Sequence, residues 1–75
     1  MVVYPNPNQG IFQLLINGNY STPHSIEVQN LMGETIYTSR IPQSTIDLSD
    51  EANGVYFIRL NSEQKIITRK IIIEH

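Results

Sequence analysis

Asn53-Gly54-Val55-Tyr56-Phe57-Ile58-Arg59-Leu60 decides the fold. The Asn-Gly pair tolerates positive φ and reads as the turn that delivers the chain into a run of β-branched and aromatic residues. In an extended strand Tyr56, Ile58 and Leu60 share one face, and Val55, Phe57 and Arg59 share the other. Both faces are mostly apolar, which predicts a strand in the middle of a sheet, covered on more than one side. Such a strand needs a partner on each edge.

Candidates lie on both sides in the chain. Downstream, Asn61-Ser62-Glu63-Gln64 reads as a hairpin loop, and Lys65 to Ile73 as the last strand pairing back. Upstream, Ser49-Asp50-Glu51-Ala52 is either one helical turn capped by Ser49 or a loop. Before it, Ser44 to Leu48 is a brief extended segment with Ile46 and Leu48 on one side, and Pro42 breaks the chain ahead of that. His24 to Asn30 alternates cleanly, with Ile26 and Val28 inward and Ser25, Glu27 and Gln29 outward. Asn30-Leu31-Met32-Gly33-Glu34 then reverses tightly, with Gly33 at a left-handed position beside a bulge, and Thr35 to Arg40 returns as the hairpin partner.

Nearer the start, Ile11 to Asn17 alternates as a strand, with Asn17-Gly18-Asn19 and Ser21-Thr22-Pro23 as the loop after it. Val2-Val3-Tyr4 is a short extended piece stopped by Pro5-Asn6-Pro7-Asn8-Gln9-Gly10. Two prolines there remove two backbone donors, and Asn6 and Asn8 favour local side-chain-to-backbone turns. The sum is an all-β antiparallel β-sandwich of six or seven short strands, with no sustained helical period. Its expected core is Phe12, Leu14, Ile26, Val28, Ile36, Ile46, Leu48, Tyr56, Ile58 and Leu60.

Length and composition bound the function. The 75 residues make one domain, near the lower size limit for a self-sufficient core. Hydrophobic residues at 40% supply a packed interior. Without cysteine, neither disulfides nor thiolate zinc can supplement it. A net charge of -2 with five Lys and Arg residues offers no footprint for nucleic acid or an anionic membrane. No apolar run approaches the roughly 18 residues of a membrane span. The start lacks the basic and apolar regions of a signal peptide and enters directly on a strand. The expectation is an excised piece of a longer protein, with Met1 added and Glu74-His75 the stub of a tag or a frayed end.

Catalytic chemistry is nearly absent. His24, at a strand start after Pro23, reads as an exposed polar residue, and no serine sits in a nucleophile elbow. Asp47, Asp50 and Glu51 form the one acidic cluster, yet the run lacks the spaced aspartates and glycine of a calcium loop. Asn19-Tyr20-Ser21 matches a glycosylation acceptor, a pattern common by chance. Among Tyr4, Phe12, Tyr20, Tyr37, Tyr56 and Phe57 a sugar-stacking platform is conceivable, but Phe12 and Tyr56 fall on core faces. No enzyme activity, cofactor or metal is expected.

Five blocks then combine in order: Tyr4-Pro5-Asn6-Pro7 with Gly10; Asn30-Leu31-Met32-Gly33-Glu34; Ile46-Asp47-Leu48-Ser49; Gly54-Val55-Tyr56-Phe57-Ile58-Arg59-Leu60; and Thr68-Arg69-Lys70-Ile71-Ile72 near the end. Over essentially the whole chain this resembles the type A C-terminal sorting domain of type IX secretion cargo proteins of the Bacteroidota. The resemblance implies a small immunoglobulin-like β-sandwich acting as a non-catalytic address label at the end of a secreted protein. Its partners would be the outer-membrane translocon, a shuttle protein, a sortase and the upstream cargo domain. The destination would be the cell surface or the medium, by way of the periplasm.

Carried over residue by residue, Pro5, Asn6, Pro7 and Gly10 match the opening block of that family, and Gly33 matches its central turn. Gly54, Tyr56 and Lys70 match its closing blocks. Prolines and glycines there also serve folding, and Tyr56 fills the core with its hydroxyl at the edge. Lys70 contributes little to a core and reads as a recognised surface residue. A monomer is expected. The alternatives are an accessory carbohydrate- or protein-binding sandwich beside a secreted enzyme, or a plain spacer. The last strand ends two residues before the chain does, which favours a terminal label.

Overall fold

The protein is described by a computed structural model at residues 2–15, 25–40, 45–62 and 66–75. Seven strands and no helix are found among these residues: β1 (Val2–Tyr4), β2 (Ile11–Leu15), β3 (Ser25–Gln29), β4 (Thr35–Ser39), β5 (Thr45–Asp47), β6 (Gly54–Asn61) and β7 (Ile66–Ile73). They form two antiparallel sheets, ordered β1-β2-β5 and β4-β3-β6-β7, packed as a sandwich. The immunoglobulin-like, all-β expectation holds. Ser49 to Glu51 form a turn closed by Glu51 N–H donating to Leu48 O at 3.0 Å, so the loop alternative is the one adopted.

β6 is the inner strand anticipated, flanked by β3 and β7. Its pairing sets both neighbours' registers: Ile58 lies opposite Val28 and Arg69, and Tyr56 opposite Ile71. Opposed residues share a face, so Tyr56, Ile58, Leu60, Ile26, Val28, Ile71 and Ile73 all point inward. Phe12, Leu14, Ile46 and Leu48 from the other sheet complete the buried cluster. The outer face of β6 is only half-buried at Val55 and Phe57, so no further layer covers it among the described residues.

Two core assignments differ from expectation. Ile36 is half-buried, because the β3–β4 register shifts between Val28 and Gln29 and skips it. Tyr37 takes the position opposite Val28, and Ile36 is the extra residue of the bulge. Conversely, Ile71 and Ile73 are fully buried. The run Ile71-Ile72-Ile73 is apolar on both faces, so alternation could not tell which face was inward; opposition to Tyr56 and Gly54 does.

Tyr56 unites packing with a polar anchor. Its ring is buried, and its hydroxyl donates to Ala52 O at 2.6 Å, four residues upstream. This is the tyrosine-corner arrangement of immunoglobulin-like sandwiches, tying the entry of the inner strand to the preceding loop. Tyr56→Ala is expected to lower stability by about 3–5 kcal/mol through the lost aromatic packing, and Tyr56→Phe by about 1 kcal/mol through the lost hydrogen bond. Urea unfolding of the three proteins reads both; equal midpoints for Tyr56→Ala and the parent would place the ring outside the core.

Candidate functional site

The blocks that carry the motif converge on one end of the sandwich. β1 and β5 finish there, β2 and β6 begin there, and β3 hands over to β4 there. The loops 5–10, 30–34 and 48–53 and the residues after β7 meet at this pole.

The Pro5-to-Gly10 loop is built to seal an edge. β7 ends its sheet, and an edge strand exposes backbone groups in need of partners. The Asn6 side chain supplies both kinds: Nδ2 donates to Lys70 O at 3.0 Å, and Oδ1 accepts from Ile72 N–H at 3.0 Å. Asn8 continues as backbone, its N–H donating to Ile72 O at 3.0 Å and its carbonyl accepting from Glu74 N–H at 2.7 Å. A parallel bridge thus joins Asn8 to Ile73.

Asn8 is 5% exposed, yet its amide is satisfied as well. Nδ2 donates to Pro5 O at 3.1 Å, and Oδ1 accepts from Gly10 N–H at 2.8 Å. Local turns were expected of both asparagines. Asn8 makes one; Asn6 instead reaches across 64 and 66 positions of sequence, because the strand edge beside it offers a better-matched donor and acceptor. Pro5 and Pro7, both exposed and both following cis peptide bonds, interleave with these asparagines.

Gly10 closes the loop against the other side of the pole. Its carbonyl accepts from Leu48 N–H at 2.6 Å, and its φ is 105°. A Cβ there would lie 2.7 Å from Ser49 Cα and 2.9 Å from Ser49 N, both backbone atoms that cannot swing away. Gly33 contrasts with it: φ is 83°, but a Cβ would meet nothing within 4 Å. The first glycine is required for space and conformation, the second for conformation alone.

The β3–β4 tip is held by Asn30. Its Oδ1 accepts from Met32 N–H at 2.9 Å and Glu34 N–H at 3.0 Å, and its Nδ2 donates to Glu34 Oε1 at 3.1 Å. Beside the tip lies an open cleft of about 200 Å³, lined by Asn30, Leu31, Met32, Asn53, Gly54, Val55 and Tyr56. Across the pole His75 is exposed but not frayed. Its N–H donates to Asn53 Oδ1 at 2.9 Å, and its Nε2 lies 2.9 Å from Glu51 O.

Of the residues singled out from sequence, Pro5, Asn6, Pro7, Gly10, Gly33, Gly54 and Tyr56 are brought to this pole. Lys70 stands at its margin, its side chain exposed on β7 and its carbonyl engaged by Asn6. Leu31, Met32 and the buried Asn8 join them at the pole, although the sequence marks the first two only as part of a turn block and Asn8 only as a turn former. His24, Tyr20 and the Asn19 acceptor lie outside the described residues. Among the described residues no three His, Cys, Asp or Glu side chains cluster as metal ligands would. Phe12 and Tyr56 are buried and Tyr37 and Phe57 half-buried, leaving Tyr4 as the exposed aromatic and no stacking platform among the described residues.

Asp47 is committed to its own loop. Its Oδ1 accepts from Ser49 Oγ–H at 2.6 Å and Ser49 N–H at 2.9 Å. The hydroxyl bond first, then the backbone bond, holds the carboxyl below its ordinary value. A depressed folded-state value adds stability above the unfolded-state value, near 4, and loses it as pH falls through the folded one. The stability difference between the parent and Asp47→Asn should therefore be full at neutral pH and close on acidification below about pH 4; a difference that grows in acid would reverse the assignment. Gly10→Ala is expected to cost about 3 kcal/mol, from backbone overlap and strained φ together. Gly33→Ala should cost about 1 kcal/mol, from φ alone. Denaturant midpoints test that order.

No curated protein matches the sequence. Residues 2–74 match the family model described as the secretion system C-terminal sorting domain, which takes in every block gathered at the pole. The chain therefore belongs to the family of secretion system C-terminal sorting domains, the export signals of type IX secretion.

Proposed function

We propose that the chain is a non-catalytic label, one domain at the C-terminus of a larger secreted protein, whose folded surface is read by the type IX translocon so that its cargo crosses the outer membrane. The family match from residue 2 to residue 74 supports the reading most directly. The arrangement of the pole is consistent with it. Polar groups there are spent on holding loops in shape: Asn6 and Asn8 on the β7 edge, Asn30 on the hairpin tip, Asp47 on Ser49. A label needs a fixed shape and no reacting group. In this reading a shuttle protein and a sortase act on the chain after passage through the periplasm, and the cargo is left at the cell surface or in the medium.

The test is a fusion of the chain to the C-terminus of a periplasm-targeted reporter in a type IX-competent bacterium. The reporter is expected at the cell surface or in the medium; retention of a folded fusion in the periplasm would refute the proposal. Lys70→Ala separates recognition from folding. The side chain is exposed, so its loss should change stability by no more than about 0.5 kcal/mol, while a charged contact with a receptor can depend on one residue. Unchanged melting with reduced export is expected. Full export of Lys70→Ala would remove this lysine from the recognised surface.

A further inference from the structure

Leu31 and Met32 are 70% and 81% exposed, more than any other large apolar side chain among the described residues. Single exposed apolar residues are ordinary on a protein surface, but two adjacent ones at a projecting tip are less so. Nor is the tip loose. Beyond the three bonds of the Asn30 side chain, Asn30 N–H donates to Glu34 O and Gly33 N–H to Asn30 O, both at 3.0 Å. The two side chains are thus presented from a preorganised turn, and little ordering entropy remains to be lost on binding.

The adjoining cleft is smaller than the roughly 300 Å³ at which small-molecule pockets begin. It has room for one side chain of a partner while the tip enters the partner in turn. Charge specifies that partner further. Glu34 brackets the tip, Asp50 and Glu51 precede the cleft residue Asn53, and Glu74 follows β7 at the same pole. Of the described cations, Arg40, Arg59 and Arg69 lie away from it, Arg40 after the far end of β4 and the others within the sheet opposite Thr68 and Ile58, while Lys70 stands at the margin of the pole, opposite Phe57. An acidic rim disfavours an anionic lipid surface and complements a basic protein one.

We propose that Leu31 and Met32 dock into an apolar socket, rimmed by lysine or arginine, on the protein component of the export machinery that reads the label. The inference rests on the sorting reading and adds the surface and its partner's chemistry. Leu31→Ser/Met32→Ser in the reporter fusion should lower the export rate about tenfold or more, as for loss of a central anchor. The melting temperature of the purified domain should not change, since both side chains face solvent. Asp50→Asn/Glu51→Gln should lower the rate less and weaken its dependence on ionic strength in a spheroplast export assay. Ile66→Ser, likewise apolar and 62% exposed but on β7, is the control and should export normally.

If the parent fusion stays in the periplasm, the sorting reading fails. If the parent is exported and the Leu31/Met32 variant, still folded, is exported as fast, this inference alone fails. Should that variant melt early, Met32→Lys decides instead: normal export with a lysine at the tip would equally refute the docking. Binding of the parent domain to vesicles of phosphatidylethanolamine and phosphatidylglycerol, lost in the double variant, would assign the tip to lipid and overturn the protein socket.

Discussion

The structure depends on how the free edge of β7 is closed. A two-layer sandwich this small has little core to spare, and its last strand would otherwise offer the carbonyl of Lys70 and both backbone groups of Ile72 to solvent or another chain. The Asn6 amide and the Asn8 backbone take those groups, acting as a short piece of strand made half from a side chain. The interleaved prolines suit the role because a residue without an N–H leaves no donor unpaired. One loop therefore does three things: it leaves β1, seals the opposite sheet, and through Gly10 reaches the Leu48–Ser49 backbone.

That closure couples the ends of the chain. Residues 5–10 and residues 70–74 are bonded to one another, and His75 is bonded in turn to the loop before β6. The loop before β6 is tied to the inner strand by the Tyr56 hydroxyl. Both ends of the chain are therefore linked to the tyrosine corner through a short series of hydrogen bonds. Under the proposed function this bears on recognition: the surface offered to a receptor is assembled from the first, middle and last parts of the sequence and exists only when the domain is folded.

The labour at the pole is divided by exposure. Asn8, Gly10 and Tyr56 are inward and serve shape; Pro5, Asn6, Pro7, Leu31, Met32 and Lys70 are outward. Asn6 belongs to both groups, since its side chain is exposed while its amide holds β7. Motif membership by itself does not distinguish these roles, because the motif blocks contain both inward and outward residues.

The all-β class, the inner position of β6, the β3–β4 hairpin with its left-handed Gly33, and most of the core could be read from alternation and turn chemistry, because both are local properties. The family resemblance likewise followed from short blocks in order. Tertiary structure decided what locality leaves open. Ile71 and Ile73 became core because β6 set the register of a run apolar on both faces. Ile36 moved to the margin of the core, half-buried against it, because a bulge removed it from the ladder. Asn6 turned from its neighbours to a strand more than sixty residues away. Each depends on which strands lie side by side, a pairing determined by burial over the whole chain, with no trace in the few residues around each position.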